Sequence, residues 1–202
     1  MQLWIDDQPC DTAVQTIGEA IATGATVAED GGRVIIEVVV DGDRWTDREL
    51  GDLDVCGGTA TEVRLTSADM RVLVRETLGQ CAVALEEAAS LEAKAAEAIQ
   101  ADRTADAMAD LGTAVELWLS VQAAVGKGCT MVGIDLGSVE VDGVAASACI
   151  SALTDQLHML RDALEVSDPI GLSDTLLYEM PDVHRRWQGM LDRLETLVVG
   201  QE

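Results

Sequence analysis

Residues 104–132, TADAMADLGTAVELWLSVQAAVGKGCTMV, decide what kind of protein this is. Met108, Leu111, Val115, Trp118, Gln122, Val125, Cys129 and Val132 recur there at alternating steps of three and four. At 3.6 residues per turn, that spacing draws one apolar ribbon along one side of an α-helix. Such a ribbon has to be covered, so the stretch predicts a long helix packed against others.

The neighbouring segments carry matching ribbons. Over 68–101 the positions are Met70, Val74, Leu78, Cys81, Leu85 and Ala88. Over 144–166 they are Ile150, Leu153, Leu157, Leu160 and Leu164. Over 169–199 they are Leu176, Met180, Val183, Trp187, Met190, Leu194 and Leu197. The breaks at Gln100 to Arg103 and at Ser167 to Pro169 are short, so each flanking pair forms an antiparallel hairpin. Thr104 caps the second helix, Asp168 caps the fourth, and Pro169 takes its first position. A longer linker, GIDLGSVEVDG at 133–143, joins the hairpins. Residues 68–202 are thus expected to form an antiparallel four-helix bundle. Pro181 interrupts the last helix and is its candidate hinge, because it removes one backbone donor.

Residues 1–67 have a different texture. Leu3 to Ile5 form a short apolar run that Asp6, Asp7, Gln8 and Pro9 end as a turn. Thr16 and Glu19 fit a capping box that opens a helix to about Val27. Arg33 to Val40, RVIIEVVV, is a β-branched strand of interior type, and Asp41-Gly42 suits a type I′ hairpin turn to a return strand at 43–46. Thr46 and Glu49 form a second capping box, and TEVRLT at 61–66 alternates like an edge strand. The fold class is α+β. A small α/β unit (1–67, mixed sheet of about four strands), whose element order resembles grasp-like or split α/β modules, precedes a helical bundle (68–202).

Composition narrows the functions. The chain has 202 residues, 48% hydrophobic, with no Phe and a formal charge of −24 from 37 acids and 13 bases. Nucleic-acid phosphates and anionic membrane surfaces repel such a surface, so no nucleic acid and no membrane partner is expected. A salt-adapted host would also select acidity. No leader-like apolar segment and no run of about 18 apolar residues occurs, which reads as cytoplasmic. Cys10, Cys56, Cys81, Cys129 and Cys149 form no CxxC and read as reduced thiols.

Catalytic chemistry finds no footing. His158 follows a seam position and should face outward, and its DxxH pattern with Asp155 lacks the repeated Glu-x-x-His of a di-metal bundle. His184 shares a seven-residue stripe with Leu177, Leu191 and Val198, which places it at the core edge with a ring nitrogen bonded to a neighbour. Val125 to Gly128 only partly matches a phosphate loop, and no GxSxG occurs. Asp6, Asp7, Asp41 and Asp43 sit at turns too sparsely spaced for a calcium loop. No catalytic residue, metal or cofactor is assigned.

The acidic helical part resembles the flagellin-type export chaperones. It has four long helices, short hairpins and a closing helix with His184-Arg185-Arg186-Trp187. The resemblance covers about 130 residues and implies a groove between helices that takes an apolar helical segment of a client. The expected function is therefore a protein-binding module, chaperone- or adaptor-like. Its candidate groove residues are Met108, Trp118, Met159, Met180, Trp187 and Met190, since methionine adapts to varied partners. The alternatives are a self-associating structural protein and a metal- or histidine-dependent enzyme.

Overall fold

The computed structural model describes residues 1–141 and 143–200; Asp142 of the predicted linker lies outside them. The chain is α+β and divides into two compact units, Met1–Leu73 and Val74–Glu202.

The first unit contains β1 (Gln2–Ile5), β2 (Gln8–Cys10), α1 (Ile17–Asp30), β3 (Arg33–Val40), β4 (Asp43–Arg44), α2 (Asp47–Leu50), α3 (Leu53–Cys56) and β5 (Glu62–Asp69). Its five strands form a mixed sheet in the order β2-β1-β5-β3-β4, with β1 and β5 parallel. The extra strand is β2, whose Gln8 and Pro9 belong to the stretch Asp6 to Pro9 expected to form a turn. Pro9 pairs with Trp4 on the outermost strand, where a missing N–H is tolerated. Asp6 and Asp7 have φ of 50° and 61°, and Asp41 and Gly42 have 49° and 92°, so both hairpins turn through two left-handed residues.

The strand at 61–66 is not an edge. As β5 it lies between β1 and β3. Its alternation has another cause: Val63 and Leu65 are buried in the core beside Leu3, Ile17 and Ala20, while Arg64 and Thr66 stay exposed. Alternation thus reports a sheet with one wet face, whatever the strand's position. Helix α1 lies close to that core because Gly24 has no side chain; a Cβ there would stand 2.0 Å from Leu65 Cδ1. Both predicted capping boxes form. Glu19 N–H donates to Thr16 Oγ1 at 3.2 Å, and Thr46 N–H donates to the Glu49 carboxylate at 2.8 Å.

A polar knot closes this unit. The Asp6 carboxylate accepts from Ser67 N–H at 2.7 Å and Ser67 Oγ at 2.6 Å. Arg33 donates through Nε to Ser67 Oγ and through Nη2 to Ser67 O, each at 2.7 Å. The Ser67 backbone bond, then its hydroxyl, hold the Asp6 carboxyl below its ordinary value of 3.8. A depressed carboxyl stabilises the fold above its unfolded value and loses that contribution as pH falls through the lower folded value. Asp6→Asn, which keeps the left-handed turn, is expected to cost about 0.5–1 kcal/mol at pH 7, discounted for solvent screening. The difference from wild type should shrink as pH falls below 3.8 and vanish below the lower folded value; urea unfolding at several pH values measures it.

The second unit contains most of α4 (Met70–Gln100), α5 (Thr104–Met131), a short hairpin of β6 (Glu140–Val141) and β7 (Val144–Ala145), α6 (Ala146–Glu165), α7 (Pro169–Asp174) and α8 (Met180–Val199). Residues on all five helices bury into one cluster that includes Leu85, Leu111, Leu153, Leu172, Met180 and Leu194. The interhelical turns use left-handed Asp102 (φ 58°) and Ser167 (φ 55°). Asp168 caps α7 by accepting from the Ile170 and Gly171 N–H groups, with Pro169 next to it.

The predicted fourth helix is not continuous. Between α7 and α8, Thr175–Glu179 form a π-helical turn, in which Met180 N–H reaches back five residues to Thr175 O. Pro181 then falls at the start of α8, where a missing donor and a ring against the preceding turn are tolerated. The proline is absorbed by a change of helical register, a device frequent at functional sites. All five cysteines are free thiols. Burial pushes the thiols of Cys81, Cys129 and Cys149 up, so they act as small apolar fillers.

Candidate functional site

The α4 ribbon does not end at Ala88. The same step carries it to Glu92, then to Ala95 and Ala96, and all of these are buried. An acid on a core position needs partners, since an unpaired buried carboxylate is costly. Glu92 has two. Trp118 of α5 donates its indole N–H to Oε1 at 2.7 Å, and His184 Nε2 of α8 stands 2.8 Å from Oε2. The Glu92 and His184 side chains are only 4% and 9% exposed. The Trp118 and His184 rings lie 4.6 Å apart at 45°, and Trp187 meets Trp118 edge-on at 5.5 Å. Trp187 gives its own N–H to Cys149 O at 3.2 Å.

An indole N–H can only donate, and an ionised carboxylate only accepts. The Trp118 N–H therefore donates to Glu92, and His184 Nε2 pairs with the second carboxylate oxygen. Among the described residues nothing hydrogen-bonds Nδ1. The ring forms part of the wall of a groove of about 490 Å³ between α4, the π turn and α8. Leu85, Ala89, Ala93, Leu176, Leu177 and Pro181 make it apolar. Glu86, Arg185 and Gln188 bring polar groups to it.

A second groove, of about 380 Å³, lies where the α4–α5 and α6–α7 turns come together. Ile99, Met108, Ala163, Leu164 and Leu172 line it with the turn residues Asp102 and Ser167. Beside it in sequence, Val166 and Ile170 are 74% and 73% exposed. The segments that build it carry Asp102, Asp106, Asp162, Glu165 and Asp168 against Arg103 and Arg161.

The residues singled out from sequence are dispersed between these places. Trp118, Met180, Trp187 and Met190 are core residues with no exposed surface, and none of the four lines either of these two grooves. Met108 lines the second groove, and Met159 is half exposed on α6. Pro181 lines the first groove, directly after the π turn. His158 is exposed, and His184 is buried with its neighbour identified as Glu92. The turn aspartates serve the backbone: Asp41 accepts from the N–H groups of Thr61 and Glu62. Among the described residues no group of three or more His, Cys, Asp or Glu side chains could hold a metal ion. No described helix is long and apolar enough to cross a membrane. Sequence reasoning missed Glu92, although the continued step from Leu85 and Ala88 pointed to it. No protein-family model, curated protein or solved structure matches the chain.

Proposed function

We propose that this chain is a protein-binding module, chaperone- or adaptor-like, whose helical unit takes a cationic amphipathic helix of a client. One observation carries the reading: large aliphatic side chains stand in solvent beside an apolar groove, within strongly acidic segments. Leu164, Val166 and Ile170 are 40%, 74% and 73% exposed. Exposed apolar surface bordered by polar residues marks interaction sites. The acids around it select a basic partner and repel acidic ones. In this reading α4, α5, α6 and the α7–α8 segment pack as an antiparallel bundle, supported by their shared buried cluster and two short turns. The resemblance to flagellin-type export chaperones points the same way, and the reading places the client in a cytoplasmic setting before use.

The test uses a fluorescein-labelled helical peptide of leucine and lysine, with a leucine–glutamate peptide of equal length as control. The basic peptide should bind with saturable anisotropy and the acidic one should not. Val166→Ser with Ile170→Ser, which removes the apolar groups without adding charge, should weaken binding by about tenfold or more, roughly 1.4 kcal/mol. Both positions are exposed, so the midpoint of thermal unfolding should hardly move. Equal binding of the two peptides, or unchanged affinity in the double variant, contradicts the proposal.

A further inference from the structure

We infer that the outer edge of β3, with the groove beside it, is a docking site for an extended basic segment of another protein, which adds to the sheet as a further strand. The inference stands apart from the client surface of the helical unit. It concerns the unit Met1–Leu73, different residues and an extended partner.

The edge is open because β4 is short. On its inner side β3 pairs with β5 from Arg33 to Val40. On its outer side β4 covers only Val39 and Val40, and Trp45 N–H adds one bond to Val38 O. The chain then leaves the sheet for α2, so among the described residues no strand pairs with Arg33 to Glu37 on that side. These positions span about 17 Å, an ordinary strand length. Such an edge is a template for another extended chain: main-chain bonds supply affinity, and alternate side chains supply specificity.

Side chains beside the edge make a socket. A groove of about 570 Å³ lies there, with Ile21 of α1, Ile35 of β3, Trp45 and Leu50 in its wall. The bulge between Ile35 and Glu37 leaves Ile36 without a partner in β5, and Ile36 is a 51% exposed part of the same wall. Bulges re-aim side chains in this way. Charge then chooses the occupant. Residues 1–67 hold 14 acids and 4 bases. In the groove wall the one cation, Arg44, is held by Glu37 at 3.0 Å, and Asp47 has no ion-pair partner among the described residues. A second copy of the chain would bring the same acids to this edge, and the bulge bends β3 away from flat pairing between identical strands. A basic partner gains where a second copy is repelled. It sets aliphatic side chains on Ile36 and Trp45, and a lysine or arginine against Asp47.

The test titrates the isotopically labelled full chain with a short peptide of alternating valine and lysine, at one pH and salt concentration. Two controls have the same length: a valine–glutamate peptide, and the valine–lysine peptide with its backbone nitrogens methylated, which keeps the charge and removes the strand donors. The backbone amide signals of Arg33 to Glu37 are followed by NMR. The valine–lysine peptide should shift them saturably and bind at least about tenfold more tightly than either control. Ile36→Ser and Asp47→Asn, both at exposed positions, should each weaken it about fivefold at unchanged thermal stability. Val166→Ser with Ile170→Ser should leave it unchanged, which separates this edge from the helical surface. The inference is overturned if the methylated peptide binds as tightly as the unmethylated one, which would mark mere attraction to an acidic surface. It is overturned equally if the Arg33 to Glu37 signals stay still, or if Ile36→Ser binds as the wild type does. Shifts of those signals with protein concentration alone would also overturn it, by placing a second copy on the edge.

Discussion

Glu92→Leu should lower the unfolding free energy of the helical unit by about 3–5 kcal/mol. Leucine nearly matches glutamate in size, so lost packing is not the cause. The cost lies in what stays behind. The Trp118 indole N–H and the His184 Nε2 remain buried with no acceptor, each at about 1–3 kcal/mol. The reverse comparison sharpens the expectation. Glu92→Leu combined with His184→Leu removes one stranded group and the desolvated acid together. Replacing both members of a buried pair by apolar residues is often close to neutral. The double variant should therefore be more stable than the sum of the two single losses, by about 1–3 kcal/mol of coupling. Urea unfolding followed by helical circular dichroism gives all four corners of the cycle.

Trp187→Ala should cost about 3–5 kcal/mol in the same assay. Trp187 has no exposed surface, packs edge-on against Trp118 at 5.5 Å, and gives its N–H to Cys149 O. Truncation leaves a cavity in the middle of the cluster and removes the side-chain donor to a buried carbonyl. Tyr178 sits nine residues earlier but is 70% exposed. Tyr178→Ala should stay within about 0.5 kcal/mol of wild type. An equal loss at both positions would mean that the apolar ribbons do not face one another.

The helical half was legible because burial and periodicity say the same thing there. Leu78, Cys81, Leu85 and Ala88 on α4, and Leu111, Trp118, Val125 and Cys129 on α5, are ribbon positions that are buried. What was lost was lost by letting side-chain chemistry outrank period. Met180 and Met190 lie on the ribbon of the last helix, and the period alone sends them inward. Treating them as adaptable groove residues turned them outward, yet both are fully buried. Glu92 shows the converse. Its position in the period is a core position, but one acid among the chain's 37 reads as part of a wet helix face. The signal was the set: a tryptophan and a histidine on ribbons each bring a buried N–H that needs an acceptor, and Glu92 is the acid on a facing ribbon.

The sheet was harder to read for a different reason. Strand order depends on pairing between distant segments, and local alternation cannot report it. Val63 and Leu65 show which face of β5 is covered, not that β1 and β3 flank it. Pro9 argued locally against a strand, but an outermost strand tolerates it. The π turn was invisible for a related reason. Pro181 announces that an α-helical bond is missing, and Met180 N–H to Thr175 O is one of several ways the chain could have compensated.

Hydrogen exchange of the Trp118 indole N–H in the native chain is the most direct measurement of all this. Held by Glu92 at 2.7 Å in a fully buried ring, it should exchange only when the helical unit opens globally, as slowly as the best-protected α5 amides. Exchange as fast as at the partly exposed indole of Trp45 would contradict the buried Glu92–Trp118–His184 cluster.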